Sequence, residues 1–213
     1  MCGRYAVFTD EGNEKLKNII DLLAKSQKSD PASMETSINI PLMKTGEIFP
    51  TDLVPVITLD HENRKRVNLF KWGFPNYMKA GAVIINARCE TLHEKPTFRN
   101  LLSTGRCLVP ASGFYEWNKA AGSKKEKYLI RASDSPLIYF AGLYGSFTDK
   151  SGIRSTRFVI ITTDANAQVA QIHNRMPAIF TSRDAALWLT ASPLSFDQIL
   201  KPYEGLLIFT KVG

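Results

Sequence analysis

The chain has 213 residues, of which 44% are hydrophobic and 22% are charged, as expected for a globular domain with a core of its own. Its three cysteines lack any CxxC spacing, so neither a disulfide framework nor a zinc site is indicated, and no apolar run is long enough to span a membrane. The net charge of +7 favours a polyanionic partner. We therefore expect a monomer with one domain over residues 1–213, in the cytoplasm (nucleoid-associated in a bacterium), without metal or cofactor.

Hydrophobic periodicity predicts a strand over Cys2–Phe8 and an amphipathic helix over Glu14–Lys25. The polar stretch Ser26–Ser37 predicts a mobile loop. Further predicted strands are Leu53–Leu59, Val67–Trp72, Ala82–Asn86, Arg106–Pro110, Gly113–Trp117, Tyr128–Ala132, Leu137–Leu143, Arg157–Thr163, the extended Pro177–Thr181 and Leu206–Lys211. Further predicted helices are Thr91–Leu102 (interrupted by Pro96), Asp164–Ile172 and Ser182–Leu189. Because strands and helices do not alternate regularly, we expect an α+β fold, a single domain with a largely antiparallel, barrel-like sheet and flanking helices.

Cys2 follows the initiator methionine, and its side chain is small enough for Met1 to be removed. The chain would then begin with an α-amine and a thiol on adjacent carbons, whose ordinary pKa values are about 7.7–8.0 and about 8.5. Such a pair condenses with an aldehyde to an imine and then closes a five-membered thiazolidine. Cys2 is therefore a candidate nucleophile for carbonyl chemistry or for acyl transfer, unless its position is accidental.

Polar residues also occur where a plain core strand would not need them. Asn86, Arg88 and Glu90 end a predicted strand, either projecting into a cleft or forming a local turn. Glu116 stands between two aromatic residues, and strand alternation turns its side chain to the opposite face from theirs. It is either a buried group suited to proton transfer or part of the solvent-exposed face of an edge strand. His173 ends a predicted helix shortly before Pro177, either as an acid-base group or as a helix cap.

Two other side chains are suited to nucleic acid. Arg4 can hold a phosphate or a carboxylate in a bidentate fork. Trp72 lies in an aromatic and basic run, where it could stack on a base of a single strand or belong to the core.

A set of short motifs in a fixed order gives the chain its resemblance to a known family. The motifs are Met-Cys-Gly-Arg-Tyr at residues 1–5, Trp-Gly-Phe-Pro at 72–75, Asn-Ala-Arg-Cys-Glu-Thr at 86–91, Lys-Pro-Thr-Phe at 95–98, Arg-Cys-Leu-Val-Pro at 106–110, Gly-Phe-Tyr-Glu-Trp at 113–117 and His-Asn-Arg-Met-Pro at 173–177. The chain thus resembles, nearly end to end, the SRAP family of SOS response-associated peptidase-like proteins, also called abasic site processing proteins. It departs from the family pattern at Asn39-Ile40-Pro41, where the family commonly has Ala-Pro after the Asn, and at Phe74, where an aliphatic residue is usual.

The resemblance implies a DNA-damage-response protein that captures and protects abasic sites in single-stranded DNA by a covalent thiazolidine crosslink. Cys2 would be the nucleophile once Met1 is removed. Asn86 would hold the sugar, and Glu116 would move protons at the α-amine. His173 would act as acid and base on the sugar, in ring opening and in crosslink release.

The same resemblance implies DNA contacts by Arg4 and Arg88, which would hold phosphates, with Trp72 and Thr162 as further site residues. Possible lyase activity belongs to this expectation. An alternative is a cysteine peptidase that processes its own N-terminus, in which Cys2, His173 and Asn86 supply thiol, base and orienting group. A third possibility is a non-covalent single-strand binder in which Cys2 plays no part.

Overall fold

The structure is a computed structural model that describes residues 2–8, 43–118, 125–180, 182–192 and 196–213, together with the isolated positions Glu14, Asn18, Ile19 and Asp21. These four positions are helical, and only Ile19 among them is buried, which agrees with the amphipathic helix predicted there. The loop predicted at Ser26–Ser37 and the departure at residues 39–41 lie outside the described residues.

Most of the described strands and helices are short, as the sequence predicts, but two strands have 11 residues each. The strands are β1 (Arg4–Val7), β2 (Gly46–Ile48), β3 (Leu53–Leu59), β4 (Lys65–Trp72), β5 (Phe74–Pro75), β6 (Val83–Ile84), β7 (Asn86–Arg88), β8 (Arg106–Ala111), β9 (Gly113–Asn118), β10 (Glu126–Ala132), β11 (Ile138–Thr148), β12 (Arg154–Asp164), β13 (Arg175–Pro177), β14 (Ile179–Phe180) and β15 (Leu207–Lys211). The α-helices are α1 (Pro96–Arg99), α2 (Leu101–Thr104), α3 (Ser182–Thr190) and α4 (Phe196–Ile199), and the 3₁₀ turns are Cys89–Thr91 and Val169–Gln171.

Five strands close into a barrel in the order β12–β4–β3–β8–β11, with β11 pairing back to β12. Every pair in this ring is antiparallel except β4–β12. β7 pairs in parallel with β12, while β13 and β14 extend the sheet. The predicted α+β fold with a largely antiparallel, barrel-like sheet is confirmed.

A second sheet packs against the barrel in the order β15–β10–β9–β1–β2, with all pairs antiparallel. Strand alternation divides its residues between two faces. Phe114 points to the main core and contacts Phe140 of the barrel, whereas Tyr115 and Trp117 belong to a separate cluster on the outer face. Glu116 shares the inner face with Phe114 and is buried, so the prediction of its face is confirmed and the edge-strand alternative is wrong.

Tyr5 joins the second sheet to the barrel. Its ring meets Trp72 edge-on at 5.2 Å and Phe140 at 5.8 Å between centroids, and all three rings are fully buried. The Trp72 indole N–H donates to the Ile85 carbonyl at 3.0 Å, which ties β4 to the segment that leads into β7. This packing holds the beginning of the chain against the barrel.

The helix predictions are partly wrong. Pro96 starts a helix rather than interrupting one, because the preceding segment forms only a 3₁₀ turn. Asp164 ends β12 instead of capping a helix, since its carboxylate pairs with Arg175. Asn166 takes the capping role and accepts the Val169 N–H at 2.9 Å, but only a 3₁₀ turn follows. The helix predicted from Ser182 is confirmed. In the part of the chain that is described, no helix has the length and apolar character needed to cross a bilayer.

Candidate active site around Cys2

Cys2 is held just before β1 and is fully buried. Its thiol contacts the Arg4 carbonyl at 3.4 Å, and its own carbonyl accepts a hydrogen bond from Asn86 Nδ2 at 2.9 Å. Asn86 is fixed in turn by β7, which pairs with β12 so that Asn86 lies opposite Ile160. The barrel therefore positions the main chain of Cys2 through one amide side chain.

Asn86 has a second polar atom at this point. Its Oδ1 is buried and accepts no hydrogen bond from the described residues. A buried carbonyl oxygen ordinarily has a donor, so this atom is suited to accept one from a bound ligand. Asn86 can therefore hold Cys2 with one end and a ligand hydroxyl with the other.

The electrostatic surroundings of Cys2 keep its thiol protonated. Burial raises the pKa of the Cys2 thiol well above its ordinary value, and the negative charge of Glu116 raises the same pKa further. This coupling places the buried Glu116 carboxylate within electrostatic reach of the thiol. The site therefore holds a buried, protonated thiol within electrostatic reach of the buried Glu116 side chain.

His173 lies between the 3₁₀ turn Val169–Gln171 and β13, and it is half-buried. Its Nδ1 accepts the backbone N–H of Arg175 at 3.0 Å. The same Nδ1 lies 3.3 Å from the backbone oxygen of Arg175. The main chain of Arg175 thus fixes the orientation of the imidazole.

A cleft of about 470 Å³ lies between the second sheet and the segment that precedes His173. Its lining includes Tyr128, the partner of Glu116 in the β9–β10 register, and Ile172, but not Glu116 or His173 themselves. The remaining lining residues are Asn118, Gln168, Gln171, Leu207 and Phe209. The second sheet and the segment that carries His173 therefore border one space.

The sequence predicts no role for Arg175. In the structure this residue, two positions after His173, connects its own segment to β12 and to the 3₁₀ turn Cys89–Thr91. Its guanidinium donates to both carboxylate oxygens of Glu90, to Asp164, and to the backbone oxygen of Thr162 at 2.7 Å. The Arg175 side chain is only 9% exposed. Both Arg175 and Glu90 stand in the quoted motifs, and that was the only signal in the sequence.

Two expected DNA contacts need correction. Trp72 is wholly inside the core between Tyr5 and Phe158, so it cannot stack on a base in this conformation. Thr162 is also fully buried, and its hydroxyl lies 3.5 Å from the Ala87 carbonyl. Both residues support the strands that carry the site and do not face DNA.

The two arginines differ in their surroundings. Arg88 is exposed at the end of β7, two residues beyond Asn86. Arg4 is partly exposed, pairs with Glu47 at 3.1 Å and lies 3.6 Å above the centre of the Phe49 ring. Arg88 is thus open to a phosphate, whereas Arg4 already binds a carboxylate.

Comparisons with known proteins agree with this fold. The sequence profile of the family described as SOS response associated peptidase (SRAP) matches residues 1–213, and the chain belongs to this family. Its relatives include the abasic site processing proteins YoqW and YoaM of Bacillus subtilis, 33% and 32% identical over 211 residues, which are 96% of this chain and 88% and 87% of theirs. The chain is also similar to a protein from Bacteroides thetaiotaomicron whose crystal structure is known. The two sequences are 27% identical and the two structures match with a TM-score of 0.77, over 100% of this chain and 92% of that one.

Proposed function

We propose that this protein captures abasic sites in single-stranded DNA through a covalent thiazolidine crosslink to Cys2, and so protects the site during the DNA damage response. The names of its relatives support abasic sites as the target. The observation that carries the crosslink is the placement of Cys2, whose carbonyl is held by Asn86 and whose thiol lies within electrostatic reach of Glu116.

The reaction begins with the sugar. An abasic deoxyribose equilibrates between a closed ring and an open-chain aldehyde. With Met1 removed, the Cys2 amine attacks the aldehyde carbon, and loss of one water gives an imine. The Cys2 sulfur then adds to the imine carbon while the thiol proton is transferred to the nitrogen, which closes the ring. The net reaction joins DNA and protein with the loss of one water.

The other side chains assigned to the site divide the remaining steps of this scheme among them. Glu116 takes a proton from the amine or the thiol and returns it to the departing water. Asn86 holds the Cys2 carbonyl through Nδ2 and accepts a sugar hydroxyl at Oδ1. His173 gives a proton to the ring oxygen and takes one from the C1 hydroxyl when the sugar opens, and it carries out the reverse exchange when the released sugar closes again. Arg4 and Arg88 bind flanking phosphates of the single strand.

The direction of the Cys2 pKa supports this aldehyde chemistry over the cysteine peptidase alternative. Cysteine peptidases attack with a thiolate, which needs a lowered thiol pKa, whereas burial and Glu116 raise the pKa of Cys2. Closure of the thiazolidine starts from a protonated thiol, whose proton passes to the nitrogen, so it needs no lowered thiol pKa. Cleavage of unrelated peptides by the purified protein, abolished by Cys2→Ala, would instead favour the peptidase.

The deciding experiment is an adduct assay. Protein whose loss of Met1 has been verified by intact mass is incubated with an abasic single-stranded oligonucleotide and separated on a denaturing gel. We expect a heat-stable adduct whose mass is the sum of both partners less one water. Cys89→Ala removes a different free cysteine and should leave the adduct unchanged. A stable adduct formed by Cys2→Ala without borohydride would exclude the proposed mechanism.

A further inference from the structure

The outer face of the second sheet carries an ion cluster outside the active site. The Glu47 carboxylate binds two cations, Arg4 Nη1 at 3.1 Å through Oε1 and Lys127 Nζ at 2.6 Å through Oε2. Strand pairing explains this arrangement, because Arg4 lies opposite Tyr115, and Lys127 lies opposite Trp117, on that face. The three charged side chains are between 24% and 32% exposed, so solvent and ligands reach them.

Aromatic rings hold both cations in place. The Arg4 guanidinium lies 3.6 Å from the centre of the Phe49 ring, and Lys127 Nζ lies 4.3 Å from that of Tyr115 and 5.7 Å from that of Trp117. Such contacts stabilise a cation at a fixed position without neutralising it. We call these three charged residues, with their aromatic neighbours, the Glu47 cluster.

The Glu47 cluster adjoins the proposed active site through β1. Arg4 is two residues from Cys2 on the way into this strand, whereas Trp117 points to the opposite face of the sheet from Glu116. A strand of DNA whose sugar reaches Cys2 would therefore bring a neighbouring phosphate to Arg4. A carboxylate and a phosphodiester are alike in presenting two oxygens that share one negative charge, so one can replace the other between the same two cations.

We infer that Arg4 and Lys127 form a phosphate-binding site for a nucleotide next to the abasic sugar, and that Glu47 occupies this site in the free protein until a DNA phosphate displaces it. The inference rests on the proposed function, since it assigns the DNA a path past Cys2. Solvent reaches all three charged side chains, so a phosphate can compete with Glu47 for the two cations. The negative charge of Glu47 nevertheless opposes every phosphate that approaches. Glu47 therefore lowers the affinity for DNA of any sequence.

The test is Glu47→Gln, which removes the charge and keeps the size of the side chain. Affinity for an undamaged single-stranded oligonucleotide, measured by fluorescence anisotropy, should rise about two- to fivefold at low salt. The plot of log affinity against log salt should steepen by up to about 0.7, because in the unmodified protein the displaced Glu47 carboxylate takes up a salt cation as the phosphate releases one. Lys127→Gln should weaken binding, and in the double variant it should remove the gain produced by Glu47→Gln.

Glu62→Gln is the matched control, because Glu62 is also paired with an arginine but lies at the turn between β3 and β4. Its affinity for DNA should equal that of the unmodified protein. No gain in Glu47→Gln, an equal gain in Glu62→Gln, or a gain that survives Lys127→Gln would overturn the phosphate site. Adduct formation with saturating abasic DNA is scored separately. If the unmodified protein forms no adduct while Glu47→Gln still binds more tightly, the proposed crosslink fails and the phosphate site stands.

Discussion

The hydrogen bond from Asn86 to Cys2 allows a sharp test of how the site is positioned. Asn86→Asp preserves the shape of the side chain but replaces the Nδ2 donor by an oxygen. The Cys2 carbonyl, which accepts from Nδ2 at 2.9 Å, would then face an acceptor instead of a donor. The substitution therefore removes a bond and leaves a buried carbonyl unsatisfied, without creating a cavity.

The expected loss follows from these two effects. A hydrogen bond contributes about 1 kcal/mol net, and a buried acceptor left without a donor costs about 1–3 kcal/mol more, so the reactive arrangement should lose about 2–4 kcal/mol. If this cost falls on the step that forms the adduct, crosslinking slows about 30- to 900-fold. Asn86→Ala also removes the donor, but it opens space in which a water molecule can donate to the Cys2 carbonyl instead, so it should slow crosslinking less, by about tenfold.

The assay is single-turnover adduct formation at saturating abasic DNA, quantified on denaturing gels over time. Affinity for undamaged DNA is measured in parallel, so that weaker binding is not mistaken for slower chemistry. Lowering the pH should partly rescue Asn86→Asp, because the introduced carboxyl becomes a donor again when protonated. An Asn86→Asp rate within about threefold of the unmodified protein would refute the positioning role, since one lost hydrogen bond alone predicts at least that much.

Three further predictions concern stability and proton transfer. Arg175→Met should lower the free energy of unfolding by about 2 kcal/mol and the melting temperature by about 4–8 °C. The expected loss is kept this small because the partners Glu90 and Asp164 are 45% and 79% exposed. A melting temperature that falls by less than about 2 °C would contradict this. The pKa of the Cys2 thiol is raised in the folded protein, so at a pH above the ordinary thiol pKa the thiol loses its proton only on unfolding. The free energy of unfolding should therefore fall as the pH rises above that value. Denaturant titrations at several pH values should show a smaller fall for Cys2→Ser. His173→Ala should slow both crosslinking and release to competitor DNA, and unchanged rates would leave His173 a structural role.

The sequence predicted those features that follow from local pattern. Alternation along Gly113–Trp117 placed Glu116 opposite its aromatic neighbours, and the structure confirms this because β9 lies between two strands with one face on the core. The same alternation predicted strands but not their partners. Closure of the barrel depends on pairing β4 in parallel with β12, so that Lys71 meets Arg157, and no local pattern encodes that register.

The role of Trp72 shows why local pattern is not enough. The sequence allows it to stack on a base or to belong to the core, and burial against Tyr5, a contact that spans two sheets, places it in the core. The contacts that define the site are equally distant in sequence. Asn86 and Cys2 are 84 residues apart, and Arg175 and Glu90 are 85. One sequence shows that these residue types are present, but the fold determines which of them meet.

The position of Cys2 connects the fold to the proposed chemistry. An α-amine can react only at a chain terminus, yet terminal residues ordinarily fray unless they are tied down. Here β1 lies between β9 and β2, and Tyr5 is fully buried against both the barrel and its own sheet. The Asn86 amide adds a bond to Cys2 itself. The barrel core thus gives Cys2 the fixed position that active-site residues usually obtain from the middle of a chain. Substitutions in that core should therefore alter the rate of adduct formation before they alter the affinity for DNA.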